Sequence, residues 1–315
     1  MFQTEPGVWF SGEDLAGKLS VSRAAVWKAV RSLRDEGYRI DAVPNRGYRL
    51  SDDIDILSER GIWKYLDPCL NMLDLHLIPE IGSTNAALLE KANTGSPEGT
   101  VLIAGMQTNG KGRLGRRFYS PADTGIYLSV LLRPESFSPE QAVRLTTMAA
   151  VAACEAVEES SGKTAGIKWV NDICLDGKKV CGILTEGTVS METGLMDSVV
   201  LGIGINAYPP ENGFPKELQT IAGAVFDEQR CDGRNSLAAG FLNHFMARYM
   251  DPDLSKYVPE YRRRSLAIGR DITILSPEGK RHAYAEDVDE ACRLVVRNED
   301  GSTEHLAAGE ISIRL

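Results

Sequence analysis

The spacing of apolar and polar residues changes along the chain and divides it into three segments. Apolar positions recur at helical spacing near the N-terminus, strands and helices mix between about residues 66 and 266, and short alternating strands fill 267–315. A chain of 315 residues exceeds the usual size of one domain. We therefore predict an α+β fold with domains at 1–60, 66–266 and 267–315, the second built on a mixed sheet and the third a small barrel.

The first segment has the pattern of a winged helix-turn-helix. Gly12–Leu19 is a short helix candidate, and Ser22 can cap a second helix that ends at Gly37. Tyr38–Val43 and Tyr48–Leu50 predict a hairpin, which would be the wing. The buried stripe predicted for the second helix consists of Ala25, Val26, Ala29, Val30 and Leu33.

Charge indicates a nucleic-acid surface on this segment. The whole chain has a net charge of −9, but residues 1–50 carry eight Lys and Arg against six Asp and Glu, and all eight cations lie between 18 and 49. Basic helices also occur in protein-interaction modules, but cations on both the second helix and the wing favour DNA. The predicted DNA contacts are Ser22, Arg23, Trp27, Lys28, Arg31 and Arg46.

The second segment alternates helices with strands. Predicted helices cover Thr84–Ala92, Ser138–Glu159 and 236–250, the second of them opened by a capping box. Predicted strands cover Val101–Ala104, Gly125–Leu132, Ile167–Leu175, Lys178–Glu186 and Val199–Asn206. The dipeptide Asp176-Gly177 predicts a type I′ turn that joins the third and fourth of these strands into a hairpin.

Residues 110–117 form the most informative loop of the chain. They read Gly-Lys-Gly-Arg-Leu-Gly-Arg-Arg, three glycines among four cations. The spacing fits the G-x-G-x-x-G dinucleotide fingerprint, but a strand and not a helix follows, so a Rossmann turn is excluded. Glycines let the backbone approach a ligand, and guanidinium groups match phosphate and carboxylate oxygens. The loop therefore favours an anion-binding role over a solvated hairpin tip.

Two features of the later strands bear on chemistry. Lys168 lies in an otherwise apolar strand, where alternation places it on the face of Val170 and Asp172. A buried lysine needs an anionic partner, and the alternative is a Lys168–Asp172 ion pair on an exposed sheet face. Gly202 and Gly204 lie within a further strand, where glycine often marks a close approach of the backbone to a ligand.

Composition excludes several classes of protein. No apolar run reaches the ~18 residues of a membrane span, and the N-terminus lacks the order of a signal peptide. Six cysteines show no C-x-x-C spacing and only four histidines accompany them, so we expect reduced thiols and no structural zinc. We expect a cytoplasmic protein with no membrane partner, and the residues themselves identify no metal ligand.

These motifs together resemble those of biotin–protein ligases, in family order over the whole chain. Gly110–Arg116 is similar to their G-[RK]-G-R-x-G-R loop, Lys168–Asp172 to K-W-P-N-D and Lys179–Glu186 to K-x-x-G-I-L-x-E. Gly202–Asn206 resembles G-x-G-I-N, and residues 83–85 match a further element near the start. The N-terminal segment is similar to the DNA-binding domain of the bifunctional ligase/repressor type.

Two positions depart from the family pattern. Val170 replaces the proline of K-W-P-N-D, which is expected to alter only the rigidity of the strand. Phe118 stands where many members have Trp, so an aromatic face is kept.

The resemblance implies a fold, a reaction and partners. The fold would be a winged helix-turn-helix, a central mixed-sheet α/β ligase domain and a C-terminal SH3-like β-barrel. Biotin and ATP, with Mg²⁺, would give biotinyl-5′-AMP and pyrophosphate, and a lysine of a biotin carboxyl carrier protein would then take the biotinyl group. Operator DNA is the second expected partner, and a homodimer is expected, with dependence on the adenylate left open.

The resemblance also assigns site residues. Lys168 and Arg113 would be the catalytic cations, with Lys168 bridging the biotin carboxylate and the α-phosphate. The biotin pocket would consist of Ser83, Thr84, Asn85, Gln107, Gly110, Lys111, Gly112, Arg113, Lys168, Gly182 and Gly202. The ATP site would consist of Arg116, Phe118, Lys168, Asn171 and Asn206.

Two rival functions stay open at this point. A lipoate–protein ligase performs the same adenylate chemistry on another cofactor, but its family lacks this dense loop and does not predict the wing. A ligand-sensing repressor would keep the binding domain and lose catalysis. The presence of Lys168, Arg113 and Arg116 favours an active enzyme over that repressor.

Overall fold

The computed structural model describes residues 7–35, 38–51, 55–134, 137–276, 279–307 and 309–313. The N-terminal domain consists of α1 (Gly12–Leu19), α2 (Arg23–Asp35), β1 (Ile40–Val43) and β2 (Gly47–Leu50). The two strands pair antiparallel as the predicted wing. Ser22 caps α2 as predicted, because its Oγ accepts from the backbone N–H of Ala25 at 3.2 Å. The predicted end of this helix, at 36–37, lies outside the described residues.

The core of the N-terminal domain corrects one prediction about α2. Val26 and Val30 are buried and Leu33 packs against their cluster, but Ala25 and Ala29 are exposed. The reason is that α2 packs mainly on α1 and the hairpin within a small cluster, so the buried stripe is narrower than that of a helix in a larger core. The alanines therefore belong to the solvent-facing surface of this helix.

The central domain is built on a seven-stranded sheet in the order β3-β4-β5-β9-β8-β7-β6. Its strands are β3 (Asp74–Ile81), β4 (Thr100–Gln107), β5 (Gly125–Leu132), β6 (Gly166–Lys168), β7 (Asp172–Leu175), β8 (Lys178–Val189) and β9 (Met196–Asn206). Its helices are α3 (Glu59–Trp63), α4 (Thr84–Asn93), α5 (Ala142–Ser161), α6 (Gly233–Tyr249) and α7 (Val258–Arg264). Only the β3–β4 pair is parallel within this sheet, so the sheet is mixed, as predicted.

The sheet is covered on both faces because its central strands are predominantly apolar. Every residue of β5 is buried. Ile126, Leu128 and Val130 point into the large cluster that contains α5 and α6, whereas Leu131 of the same strand packs on α4. Alternate side chains of one strand therefore stabilise opposite layers, which is the pattern of a strand buried on both faces.

The predicted strand Ile167–Leu175 is wrong as a single element. β6 ends at Lys168 and β7 begins at Asp172, and these two residues are paired across the antiparallel ladder. A tight turn with a cis peptide between Trp169 and Val170 joins the strands. Because the chain reverses here, alternation along one strand does not assign the faces of residues 168–172. The type I′ turn that follows is as predicted, with positive φ at Asp176 and Gly177.

The C-terminal domain is an antiparallel five-stranded sheet in the order β13-β12-β11-β10-β14. The strands are β10 (Arg270–Ser276), β11 (Gly279–Val288), β12 (Leu294–Asn298), β13 (Thr303–Leu306) and β14 (Glu310–Ile313). Ile272, Ala285 and Val296 are buried in the same cluster as the central core. No helix in the described ranges has the length and apolar character needed to cross a membrane.

Candidate functional site

The glycine–cation loop folds back on itself at the end of β4. The N–H of Phe118 donates to the carbonyl of Gly110 at 2.9 Å, and the N–H of Gly112 donates to the carbonyl of Arg116 at 2.8 Å. Between them the chain makes a 3₁₀ turn with Leu114 at φ +55° and Gly115 at φ +72°. Lys111, Arg116 and Arg117 of the closed loop are exposed, whereas Arg113 is half-buried.

Arg113 is held by two partners from distant parts of the chain. Its Nη1 donates to Oδ1 of Asn171 at 3.0 Å, and its Nη2 donates to the carbonyl of Gly309 at 3.0 Å. Asn171 is fixed in turn, because its Nδ2 donates to the carbonyl of Ile183 at 2.8 Å. The guanidinium is therefore oriented by the turn after β6 and by the C-terminal domain.

A small cavity of about 50 Å³ lies beside this loop. Its wall consists of Ser83, Thr84, Asn85, Gln107, Lys111, Gly112, Arg113, Phe118, Asn171, Lys179, Gly182, Ile183, Leu184, Gly202, Ile203 and Gly204. At its polar end, Oε1 of Gln107 accepts from the backbone N–H of Thr84 at 2.9 Å, and Nε2 of Gln107 donates to Ser120 at 3.1 Å. The side chains at this end are therefore fixed without a ligand.

β9 has glycine at two positions where side chains from other elements come too close to the strand for a Cβ. A Cβ at Gly202 would lie 1.9 Å from Oδ1 of Asn85, and a Cβ at Gly204 would lie 2.5 Å from the ring of Phe118. Gly110, predicted to line the pocket, lies behind the wall, and its Cβ would lie 2.5 Å from the carbonyl of Phe118. Close approach was predicted for these β9 glycines, and the approaching groups belong to the protein itself.

A larger cavity of about 590 Å³ adjoins the small one. Its wall consists of Gly112, Arg113, Leu114, Arg116, Arg117, Phe118, Tyr119, Lys168, Trp169, Asn171, Asp172, Cys174, Gly177, Lys179, Asn206, Phe214, Leu218, Thr220, Ile221, Ala222, Gly309, Ile311, Ser312 and Ile313. Burial raises the pKa of the Cys174 thiol to about 11, so this group stays neutral at pH 7. Asn206 is held in place by a bond from its Nδ2 to the carbonyl of Gly223 at 3.0 Å.

Lys179 lies where the two cavities meet, and sequence analysis assigned it no role. Its Nζ forms an ion pair with Oδ1 of Asp172 at 2.7 Å and lies 5.9 Å from the centre of the Phe118 ring. Lys179 lines both cavities, whereas Lys168 lines only the large one. The sequence signal that could have identified Lys179 is its position as the first residue of the K-x-x-G-I-L-x-E motif.

The ion-pair partner of Asp172 is also different from Lys168, the partner that the sequence analysis considered. Lys168 and Asp172 are cross-strand neighbours, but the ion pair of Asp172 is with Lys179. Lys111, predicted for the biotin pocket, has its Nζ 3.8 Å from Oε1 of Glu186. The site therefore contains three lysines and two carboxylates around the loop that carries Arg113.

Phe118 forms an aromatic wall between the cavities. Its ring meets Tyr127 edge-on with centroids 6.4 Å apart. Burial raises the pKa of Tyr127 to about 12, so its hydroxyl stays protonated and donates to the carbonyl of Pro121 at 2.9 Å. The flat face of Phe118 is therefore supported from behind by a fixed side chain.

The predicted DNA-contact residues are solvent-exposed side chains of the N-terminal domain. Ser22, Arg23, Lys28 and Arg31 are exposed, and Trp27 is 53% exposed. The guanidinium of Arg31 lies 5.7 Å from the Trp27 ring, and that of Arg46, at the tip of the wing, lies 4.9 Å from the ring of Trp9, which precedes α1. Trp27 therefore presents an exposed aromatic ring beside a cation, whereas Trp9 is partly buried.

Within the described ranges, no three His, Cys, Asp or Glu side chains come together as a metal-binding cluster. All six cysteines are free thiols, and four of them are buried. Among the residues named in the wall of the large cavity, Asp172 carries the one carboxylate.

Comparisons with known families match the three segments in order. Residues 77–206 match the Biotin/lipoate A/B protein ligase family, residues 1–49 an HTH domain and residues 267–314 the Biotin protein ligase C terminal domain. The solved biotin protein ligase from Aquifex aeolicus, in complex with biotin and ATP, superposes with a TM-score of 0.62 at 27% identity, over 76% of this chain and 98% of that one.

Curated relatives extend over nearly the whole chain. The bifunctional ligase/repressor BirA of Bacillus subtilis (strain 168) is 34% identical, over 96% of this chain and 93% of the relative. The protein of the same name from Escherichia coli (strain K12) is 29% identical, over 98% and 94%. With this identity over nearly both full lengths, and with the three models in the same order as the three structural domains, the chain belongs to the biotin protein ligase family in its bifunctional ligase/repressor form.

Proposed function

We propose that the protein is an ATP-dependent biotin–protein ligase that also represses transcription from an operator. The observation that carries the ligase function is the shared wall of the two cavities, in which Arg113, Lys179 and Phe118 contact both spaces. A cofactor in the small cavity and a nucleotide in the large one would meet at these cations.

The first step joins two anions, so charge neutralisation dominates it. A carboxylate oxygen of biotin attacks the α-phosphorus of ATP, the bond to the bridging oxygen breaks, and pyrophosphate leaves with the electron pair. The protein's part is to hold both anions in line and to offset their repulsion with fixed cations. In the second step the amine of the carrier lysine attacks the carbonyl carbon of the adenylate, and AMP leaves.

Roles for the site residues follow the two cavities. We propose Lys179 and Arg113 at the junction, where the carboxylate meets the α-phosphate, and Lys168 toward the phosphates in the large cavity. The proposed biotin contacts are Ser83, Thr84, Asn85, Gln107, Gly110, Lys111, Gly112, Gly182 and Gly202. The proposed nucleotide contacts are Arg116, Phe118, Asn171 and Asn206. The positions of these residues in the two walls support this division, with the exception of Gly110, which lines neither cavity.

Mg²⁺ is proposed to enter with the nucleotide. Mg²⁺ in nucleotide sites is held by one or two carboxylates, substrate phosphates and waters, and a dedicated protein cage is not required. Asp172 offers one carboxylate in the large cavity, and its Oδ1 pairs with Nζ of Lys179 at 2.7 Å, so an ion held there would share this carboxylate with the lysine. The ion would supply further positive charge to the phosphates.

Partners and compartment complete the proposal. A biotin carboxyl carrier protein would accept the biotinyl group, and operator DNA would bind the surface of Trp27, Arg31 and Arg46. We propose a homodimer, because helix-turn-helix proteins read two half-sites as dimers. We propose domains at 1–60, 66–266 and 267–315 and a cytoplasmic location, which free thiols support.

An ATP–pyrophosphate exchange assay tests the enzyme directly. The expected result is exchange that depends on biotin and is at least about 100-fold weaker with lipoate, since a site built for a hydrogen-bonding group strongly rejects an analogue that lacks it. Exchange with lipoate in place of biotin would indicate a lipoate ligase. Tight biotin binding without exchange would indicate a ligand-sensing repressor.

A further inference from the structure

A buried serine lies behind the small cavity. Ser129 is in the middle of β5, is fully buried and lies outside the cavity wall. Its Oγ is 2.6 Å from Oδ1 of Asn85 and 2.7 Å from Oγ1 of Thr84. Asn85 and Thr84 both line the cavity, so Ser129 influences the site only through them.

The surroundings of Asn85 fix which way its amide faces. Its Nδ2 is 3.2 Å from the carbonyl oxygen of Leu184 and 3.0 Å from Oε2 of Glu186. A carbonyl and an ionised carboxylate can only accept, so the amide nitrogen must face them. The amide oxygen therefore faces Ser129.

This orientation decides where the hydroxyl protons lie. The hydroxyl of Ser129 has one proton, and the amide oxygen of Asn85 has none to give, so Ser129 donates to Asn85. The short contact between Ser129 and Thr84 must then take its proton from Thr84. The opposite order would leave a buried amide oxygen 2.6 Å from another oxygen with no proton between them, which is strongly unfavourable.

Thr84 is left as an acceptor toward the cavity. Its proton goes to Ser129 at 2.7 Å, a shorter contact than the 3.2 Å to Oε1 of Gln107. Gln107 is oriented too, because its Oε1 accepts from the N–H of Thr84 and its Nε2 faces Ser120. The second proton of that Nε2 is available to a ligand, so this end of the cavity places an acceptor beside a donor.

An acceptor beside a donor matches a group that presents N–H and C=O side by side. The cyclic urea of biotin has this arrangement, and a dithiolane ring has neither group. We propose that Ser129 is a positioning residue that determines specificity, because the relay from Glu186 through Asn85 and Ser129 fixes Thr84 as the acceptor of a ureido N–H. This inference rests on the proposed ligase function and deepens it.

The first test removes the hydroxyl and measures ATP–pyrophosphate exchange. In Ser129→Ala the proton of Thr84 loses its acceptor and turns toward Gln107 or the cavity, where it opposes the ureido N–H. We expect the KM for biotin to rise about 10-fold, the scale of one misdirected hydrogen bond, with the KM for ATP within about 2-fold and kcat within about 3-fold. Ser198→Ala is the matched control, since Ser198 is fully buried and bonds only Thr188 at 2.9 Å among the described residues.

A double-mutant cycle tests whether Ser129 acts through Thr84. In a Thr84→Val background, adding Ser129→Ala should change the KM for biotin by less than about 2-fold, because the hydroxyl that Ser129 orients is gone. A further 10-fold rise in that background would overturn the relay. Circular dichroism checks each fold, and if Ser129→Ala does not fold, Ser129→Cys retains a weak donor and should give an intermediate KM for biotin.

Two outcomes separate this inference from the function on which it rests. An unchanged KM for biotin in a folded Ser129→Ala or Ser129→Cys protein, or equal rises in the KM values for biotin and ATP, would overturn the role of Ser129 while the enzyme remains a biotin ligase. No biotin-dependent exchange by the unmodified protein would contradict the ligase function itself.

Discussion

Arg113 donates to the backbone carbonyl of Gly309 at 3.0 Å, a contact that joins residues 196 positions apart in the sequence. The contact ties the glycine–cation loop to the C-terminal domain, while Asn171 holds the other guanidinium nitrogen. A guanidinium with two fixed partners is oriented before any ligand arrives. The C-terminal domain therefore contributes to the site through a backbone carbonyl, which no side-chain motif could reveal.

The first prediction concerns retention of the adenylate. Arg113→Gly should still form biotinyl-5′-AMP but release it, because the guanidinium that clamps the carboxylate and phosphate is gone. The measurements are adenylate dissociation and biotin labelling of a bystander protein, both expected to rise at least ~10-fold, which corresponds to about 1.4 kcal/mol. Lys163→Ala is the control, since Lys163 pairs with the exposed Asp227 and lies in neither cavity wall. If the variant retained the adenylate as tightly as the unmodified protein does, the loop would be a surface hairpin that does not bind the adenylate.

The second prediction separates the two lysines. Lys179→Ala and Lys168→Ala should each lose at least ~2–3 kcal/mol of transition-state stabilisation in single-turnover adenylate formation, as expected for a preorganised cation. Only Lys179→Ala should also raise the KM for biotin, because Lys179 lines the small cavity and Lys168 does not. Lys163→Ala, on a surface ion pair with Asp227, is the control. Near-normal rates for either variant contradict the role given to that lysine.

The third prediction uses the closest backbone approach in the site. In Gly202→Ala the new Cβ would lie 1.9 Å from Oδ1 of Asn85, so either β9 or Asn85 must move. Biotin binding measured by calorimetry should weaken at least ~10-fold, while the protein stays folded. Gly82→Ala is the matched control, because a Cβ at Gly82 meets nothing within 4 Å although the residue adjoins Ser83. Equal affinities for both variants would show that Asn85 adjusts without effect on the pocket.

The sequence anticipated elements whose signals are local. The capping serine at 22, the type I′ turn at 176–177 and the apolar strand at 125–132 were predicted correctly because each depends on neighbouring residues. The reversal between Lys168 and Asp172 was missed, because an apolar run with one lysine reads as a continuous strand. A sharp turn inside such an apolar run leaves the spacing of apolar residues unchanged, so periodicity cannot locate the turn.

Most of the residues predicted for the biotin pocket line the small cavity, but Gly110 and Lys168 do not, and the contacts among these residues were not predicted. Motif order identified Thr84, Gln107 and Arg113 by resemblance, and all three lie in one wall. The contacts of Arg113 with Gly309 and of Ser129 with Asn85 depend on how distant elements pack, so no local pattern encodes them. The role of Lys179 was missed for the same reason, since only the fold places it between the cavities.

The fourth prediction concerns stability in acid. Hydrogen bonds from Arg263 lower the pKa of Glu260 from 4.5 to about 2, with Arg264 adding to the effect. A carboxylate with a lowered pKa stabilises the fold above its ordinary value, and this stabilisation is lost as the pH falls from about 4.5 toward 2. Glu260→Gln should therefore have a lower free energy of unfolding at pH 7 and a flatter pH dependence below 4.5. If the free energy of unfolding depended on pH in the same way for both proteins between roughly pH 5 and pH 2, the prediction would be contradicted.

The fifth prediction concerns DNA. Lys28→Ala and Arg46→Ala should each weaken operator binding and reduce the slope of log K against log salt by about 0.9, if each cation contacts one phosphate. Deleting residues 1–52 should abolish DNA binding and leave adenylate formation intact. The remaining chain is anchored at its start, because Asp55 is buried in an ion pair with Arg234 and accepts from the hydroxyl of Tyr208 at 2.6 Å.

Fluorescence anisotropy with an operator fragment, in the presence of biotin and ATP, measures both the affinity and its salt slope. Lys163→Ala is the control, since Lys163 lies on the central domain and pairs with the exposed Asp227, so it should leave the slope unchanged. Because the net charge is −9, the rest of the chain attracts DNA only weakly, so a change in the salt slope can be assigned to the substituted cation. Salt slopes that Lys28→Ala and Arg46→Ala leave unchanged, or specific DNA binding that survives the deletion, would move the DNA contact away from α2 and the wing.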